Sequence, residues 1–262
     1  MTKKIVLHSI VSLALIIIAA QVSGRAFAQT AETLNPGKTA CGGRQKKDAY
    51  ASSEREAAAA ALARRAFLAL GGEAFGKLQS LKLSGFGEAR SPLYPAALSV
   101  QFRLVATGKQ ISLQMASPIG LLQLINDGER QITMAGDHQA EGFGLGPQEK
   151  YGLWTLTRRS LPGYRISSLA GPGSSSFQIT DPDCNVTNFE IYSDTGLPKQ
   201  FDYAWKGQIN VWQLADFKEV EGVLIPHAIT VRMGSEVGEY SVELRVDKVE
   251  INAPVKPEAF KP

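Results

Sequence analysis

The chain has little of the residue types that carry most enzymatic chemistry. Among 262 residues there are three histidines and two cysteines. No H-E-x-x-H, H-x-x-x-H or C-x-x-C spacing occurs, so no metal site is predicted. There is no G-x-S-x-G nucleophile elbow. Gly142-x-Gly144-x-Gly146 lacks the strand-to-helix context of a phosphate loop, and Ser174 to Ser176 sit in a glycine- and proline-rich loop. Asp181-Pro182-Asp183 places two acids in a turn but falls short of a calcium loop's ligand count. His138 follows a strand in a polar loop, and His227 follows Pro226 within one; neither has a partner in the pattern. The reading is a non-enzyme with no cofactor and no metal.

Apolar runs of membrane length are also missing. One apolar stretch exists, densest from Val11 to Ala20, behind Lys3 and Lys4 and ahead of an A-x-A site ending at Ala28. This is the plan of a secretory signal peptide over residues 1–28, and the run is short for a span. Net charge disappears with it. The leader holds Lys3, Lys4 and Arg25 and no acid, so of 28 basic residues 28 − 3 = 25 remain against 25 acidic ones. No basic field is left for nucleic acid. The expected compartment is the periplasm. There Cys41 and Cys184 could form a disulfide or stay as thiols. Lipidation of Cys41 is disfavoured, because Lys38 stands where a lipobox wants an apolar residue.

What is present is amphipathic pattern. Residues 29–52 are polar, with Pro36, Gly37 and a basic cluster at Arg44, Lys46 and Lys47, and read as a flexible linker. One domain is expected over residues 53–262. Ser53-x-x-Glu56 is a capping-box pattern, and the alanine-rich run after it predicts a helix with Leu62, Ala63, Ala66, Phe67 and Leu70 on one stripe, stopped by Gly71-Gly72. From Leu81 the period becomes two. Leu98 to Leu104, Ile111 to Met115, Leu122 to Leu124 and Ile132 to Met134 predict an antiparallel meander. A helix is expected from Pro147, burying Tyr151, Trp154 and Leu153 or Leu156, with a second helical piece over Ile166 to Leu169. A second meander follows from Phe189 to Ile251. Tyr203, Trp205 and Trp212 in it could form a stacking platform, but aromatic packing in a strand core is the better reading.

About ten strands in one sheet must curl or close. The predicted fold class is α+β: a curved antiparallel sheet, an unclosed half-barrel capped by α-helices, with an elongated apolar cavity. Within it Ser117-Pro118-Ile119-Gly120 is a tight corner with an isoleucine at its tip, where polar residues are usual. Ile119 either projects as an exposed finger or folds back onto Leu121 or Leu122.

The stretches SPIGLLQL, WTLTRRSLPG, LSGFGEAR and DFKEVEGVLIPHAITV, with the closing VEINAPVKPEAF, resemble the periplasmic LolA/LolB superfamily, over roughly Ser53 to Pro262. The resemblance implies an unclosed barrel with a hydrophobic cavity for acyl chains. It implies a monomer whose partners are acyl chains of lipoproteins or phospholipid, with transient outer-membrane contact through Ile119, which stands where the LolB corner has a leucine. The chain departs from LolB in lacking a usable lipobox. Expected cavity-lining residues are Phe102, Leu104, Leu113, Met115, Leu122, Leu124 and Met134, with the N-terminal helix packed over that face. The alternative is an envelope interaction or sensor module with a filled core, meeting a partner through a sheet edge or the loop at Leu93, Tyr94 and Pro95.

Overall fold

The computed structural model describes residues 49–92, 94–140, 145–148, 150–169, 174–235 and 238–261. The leader, most of the linker, Cys41 and Leu93 lie outside the described residues.

Two helices come first, α1 (Ala49–Ala69) and α2 (Glu73–Gly76). Then follow β1 (Ser80–Ser91), β2 (Tyr94–Thr107), β3 (Ile111–Ser117), β4 (Gly120–Asn126), β5 (Gln131–Ala135) and β6 (His138–Ala140). After a short helix α3 (Thr155–Arg158) come β7 (Arg165–Ser168), β8 (Ser176–Thr180), β9 (Val186–Ile191), β10 (Pro198–Trp205), β11 (Gln208–Val220), β12 (Val223–Ser235) and β13 (Gly238–Ile251). A 3-10 turn at Pro257–Phe260 ends the described chain.

All thirteen strands lie in one antiparallel sheet, in the order β6-β5-β4-β3-β2-β1-β13-β12-β11-β10-β9-β8-β7. The two meanders are joined by the pairing of β1 with β13. The edges β6 and β7 do not pair, so the sheet is unclosed. It is nonetheless strongly curled. β5 and β10 are eight strand spacings apart, about 38 Å in a flat sheet. Yet Trp205 Nε1 on β10 donates to Gln131 Oε1 on β5 at 2.7 Å.

Period-two alternation turns one face of every long strand inward. That face carries Phe102, Leu104, Leu113, Leu124, Phe177, Phe189, Phe201, Tyr203, Leu214, Val231 and Leu244, all buried. A smaller cluster of Val105, Ile125 and Phe260 lies on the outer face, where the C-terminal turn covers β2 and β4.

Helix α1 begins before the capping-box pattern, so Ser53 lies inside the helix and not at its start. Its buried stripe is Ala59, Ala63, Ala66 and Leu70; alanines let the helix axis lie close to the strands. The helix packs on β7, β8 and α3, at the far side of the sheet from β2–β4, which corrects the expected position. Its end is a Schellman arrangement: Gly72 N donates to Phe67 O and Gly71 N to Leu68 O. Gly71 has φ +118, and a Cβ there would stand 2.3 Å from Gly222 O. The helix end thus seats directly on the β11–β12 hairpin, where Leu224 N donates to Leu70 O.

The helix expected from Pro147 is only the four residues of α3, because Gly152 turns the chain at φ +77. Tyr151, Trp154 and Leu156 are buried as expected. The expected helical piece at Ile166 is instead the edge strand β7, with Ser168 opposite Phe177; pairing overrode local propensity. Pro226 falls where β12 runs past its pairing with β13 and bonds only to β11, the edge-like place a strand proline needs. Cys184, in the turn after β8, is disulfide-bonded.

Candidate functional site

The sheet register decides which of the expected lining residues stand together. Leu104 pairs with Leu113, Leu113 with Leu124, Phe102 with Met115 and Met115 with Leu122. Those six therefore share the concave face. Met134 does not: it pairs with Gln123 and Gln139, on the outer face. The alternation loses one residue of phase at the NDGE turn, and a one-residue slip exchanges the faces. Five of the six are closed from solvent, at 1–5% exposure, and Leu122 is half-buried.

The connection between β6 and β7 joins the same apolar cluster through Leu145, Tyr151, Trp154 and Leu156. Asn126 Nδ2 donates to Leu145 O at 3.0 Å, and an Arg158 guanidinium N–H donates to Gly108 O at 3.4 Å. Tyr151 stacks on Tyr203 with ring centroids 4.6 Å apart and meets Trp205 edge-on at 5.7 Å. The aromatics of the second meander are thus interior packing, as Phe201 stacked on Trp212 at 5.6 Å also shows.

Charge is confined to one end of this face. Among the described residues no Asp, Glu, Lys or Arg stands at an inward position of β1–β5 or β8–β10; on β11 only Asp216 and Lys218, past Leu214, have the inward parity, and they pair with each other in the open. Among the described residues, no group of three or more His, Cys, Asp or Glu could hold a metal. His227 is partly buried, with Nδ1 3.0 Å from Ile225 O; His138 pairs with Ala135 in the edge strand β6. The Asp181 carboxylate is occupied by its own turn, accepting from Asp183 N, Asn185 N and Asn185 Nδ2 at 2.8–2.9 Å.

The face does carry neutral polar groups that sequence reading passed over as aromatic filling. Thr187, Tyr203, Asn210 and Trp212 are buried at 0, 2, 0 and 6% exposure. Thr187 Oγ1, Tyr203 OH, both amide atoms of Asn210 and Trp212 Nε1 have no hydrogen-bond partner. The Gly146 backbone and the Trp212 indole lie beside the Tyr203 hydroxyl and offset part of the effect of burial on it. Neither reaches it in hydrogen-bond geometry. Burial pushes the Tyr203 hydroxyl well above the usual tyrosine range. The Tyr151 hydroxyl is pushed up to about 12 by burial and by the Asp181 charge; it donates to Asn185 Oδ1 at 2.8 Å. A single asparagine among strand aromatics was the signal available in the sequence.

Ile119 and Pro118 form the two-residue tip of the β3–β4 hairpin, closed by Ser117 opposite Gly120. Pro118 is exposed and Ile119 half-buried. Leu121, one residue on, is 42% exposed on the outer face, so Ile119 is neither fully projecting nor sealed into the core. Pro118 also borders an outer-face groove of about 720 Å³ with Phe86, Glu88, Gln101 and Arg245.

No family model matches the chain, and no curated protein matches it. Solved structures are similar to it in fold. A DUF1329 family protein from Desulfovibrio piger is 11% identical, with 79% of this chain and 97% of that one covered and a TM-score of 0.48. A LolA superfamily protein from Nitrosomonas europaea is 10% identical, covering 78% and 97%, at 0.47. A domain from Vibrio parahaemolyticus described as outer membrane lipoprotein-sorting is 11% identical, covering 76% and 97%, at 0.42. The fold itself is an unclosed, curled antiparallel sheet with helices laid against it.

Proposed function

We propose that this is a non-enzymatic envelope protein, exported to the periplasm. It binds acyl chains of lipoproteins or phospholipid on its concave face and serves lipoprotein trafficking to the outer membrane as a monomer. The observation that carries the reading is the composition of that face. One unclosed sheet presents an inward surface with no charged side chain on β1–β5 or β8–β10 among the described residues, and with Phe102, Leu104, Leu113, Met115, Leu122 and Leu124 contiguous on it. A surface of that length and apolarity fits a chain-like hydrophobe. The half-buried Ile119 at the hairpin tip supplies transient membrane contact.

One observation favours a second reading. Five of those six residues are already sealed from solvent, as in a filled core, and a filled core belongs to an interaction or sensor module. Native mass spectrometry of the mature protein, exported with its own leader, separates the two. A co-purified mass matching a phospholipid or an acylated peptide supports the carrier. An apo mass unchanged after adding lipid or lipopeptide moves the reading to the interaction module.

A further inference from the structure

Asn126 and Thr133 are buried polar residues of the concave face, and the Asn126 amide bonds the Leu145 carbonyl; one further polar cluster has no such partners. Tyr203 on β10 pairs with Asn210 on β11, and Asn210 pairs with Met233 on β12. The register that sets Asn188 opposite Asp202 brings Thr187 on β9 level with Tyr203. Trp212 stands one inward position along β11 from Asn210. These four adjacent residues hold five buried polar atoms without a partner.

Such a cluster is costly. A buried polar group left unpaired loses its hydration and gains nothing, and native interiors satisfy most such groups. Packing alone would be served as well by leucine at 210 and valine at 187. A row of orphaned groups is therefore a recognition element. Its chemistry is specific: the Trp212 N–H donates only, the Asn210 amide donates and accepts, and the two hydroxyls do either. The inward neighbours Phe189, Phe201, Val231 and Met233 are all uncharged, so an anion seated here would be buried without a counter-charge.

Resting on the acyl-chain reading above, we infer that Thr187, Tyr203, Asn210 and Trp212 form a seat for the uncharged ester linkage of an acylglycerol. The hydrocarbon lies along the remaining apolar face. The ester carbonyl accepts from Trp212 Nε1 and Asn210 Nδ2; a glycerol hydroxyl donates to Asn210 Oδ1.

The test is displacement of N-phenyl-1-naphthylamine from the mature protein by matched sixteen-carbon competitors. Monopalmitoylglycerol should displace the dye at a concentration about fivefold below hexadecane and below palmitate, the gain of about one net hydrogen bond. Asn210→Leu should take up the dye as the wild type does and lose the ester preference. It should also melt no lower than the wild type, since an orphaned amide has been replaced by an apolar group. Thr187→Val, nearly isosteric, should weaken the preference and serves if the leucine variant does not fold. Displacement by a diacylated lipopeptide or by dipalmitoyl phosphatidylglycerol names the source of the ester; displacement by neither overturns the seat. Dye uptake with equal affinity for ester and alkane, or a preference for palmitate, overturns the seat and leaves the acyl-chain reading standing. No dye uptake overturns that reading and the seat with it.

Discussion

Ile119 carries the contact proposal, and its place limits what it can do. Half-buried at a two-residue tip, it can add a fraction of the 1.5–3 kcal/mol that full burial of such a side chain contributes, roughly enough for docking and too little for anchoring. Ile119→Glu should abolish co-sedimentation with anionic vesicles while the melting temperature stays within about 2 °C, because the tip makes no core contact that a charge would unpair. A large drop in melting temperature would show that the isoleucine seals the barrel end instead. Tyr151 and Tyr203 set a second residue-scale expectation. Unfolded, both ionise near the ordinary tyrosine value of about 10; folded, burial holds both protonated to higher pH, Tyr151 to about 12. Above pH of about 10 the unfolded chain therefore binds fewer protons than the folded one. Stability is fully present below that pH and is lost as pH rises toward about 12. Urea midpoints should fall across this window, and Tyr151→Phe should flatten the fall. A wild-type midpoint that is level above pH 10 would mean that these hydroxyls are hydrated in the folded state.

The elements show where pattern sufficed and where it did not. The second meander was legible strand by strand, since each turn from Ser193 to Gly222 carries its own glycine or turn residue and each strand alternates cleanly. The α1 stop was legible for the same reason: Gly71-Gly72 can adopt backbone angles that alanine resists. The β7 strand was not, because four residues at an edge carry less local signal than the pairing that β8 supplies. The face of Met134 was not legible past the NDGE turn, where a one-residue slip exchanges faces, and the polar row was not, because aromatics are favoured in strand cores whatever stands beside them. Burial of α1 through Ala59, Ala63 and Ala66 has a consequence of its own. Ala63→Leu would push the helix off β7 and β8 and should cost about 1–3 kcal/mol by overpacking. The same change at exposed Arg64 should be nearly neutral. β1 is equally tight against β13: a Cβ on Gly85 would stand 2.0 Å from Arg245 O. Gly85→Ala should lower the melting temperature by several degrees, at about 2–4 °C per kcal/mol for a chain of this size, because backbone has to move to admit it. Equal melting temperatures would show that β1 and β13 can part at the bulge between Ser84 and Gly85 without loss.

At the scale of the molecule the lining residues pose a question of access. A face sealed to 1–5% exposure accepts a chain only if the two meanders separate, and the sheet is built to allow it. Its edges β6 and β7 are unpaired with one another, so opening breaks no strand ladder. Beside the shared apolar core, the hydrogen bonds that span the gap among the described residues include Trp205 to Gln131 at 2.7 Å, Asn126 to the Leu145 carbonyl at 3.0 Å and Arg158 to the Gly108 carbonyl at 3.4 Å. A net hydrogen bond contributes about 1 kcal/mol, so loss of one should raise the open population about fivefold. Gln131→Ala removes the acceptor of the Trp205 indole and leaves Trp205 packed on Tyr151. In stopped-flow mixing with an apolar dye, its uptake rate should rise about fivefold while the final fluorescence changes little, since the bound state loses the same small contact as the free one. An unchanged rate would mean that chains pass elsewhere, and that the unpaired edges are a feature of architecture without a part in loading. A rise in rate shared by Asn126→Ala, on the same side of the gap, would instead assign opening to the parting of the two meanders as units.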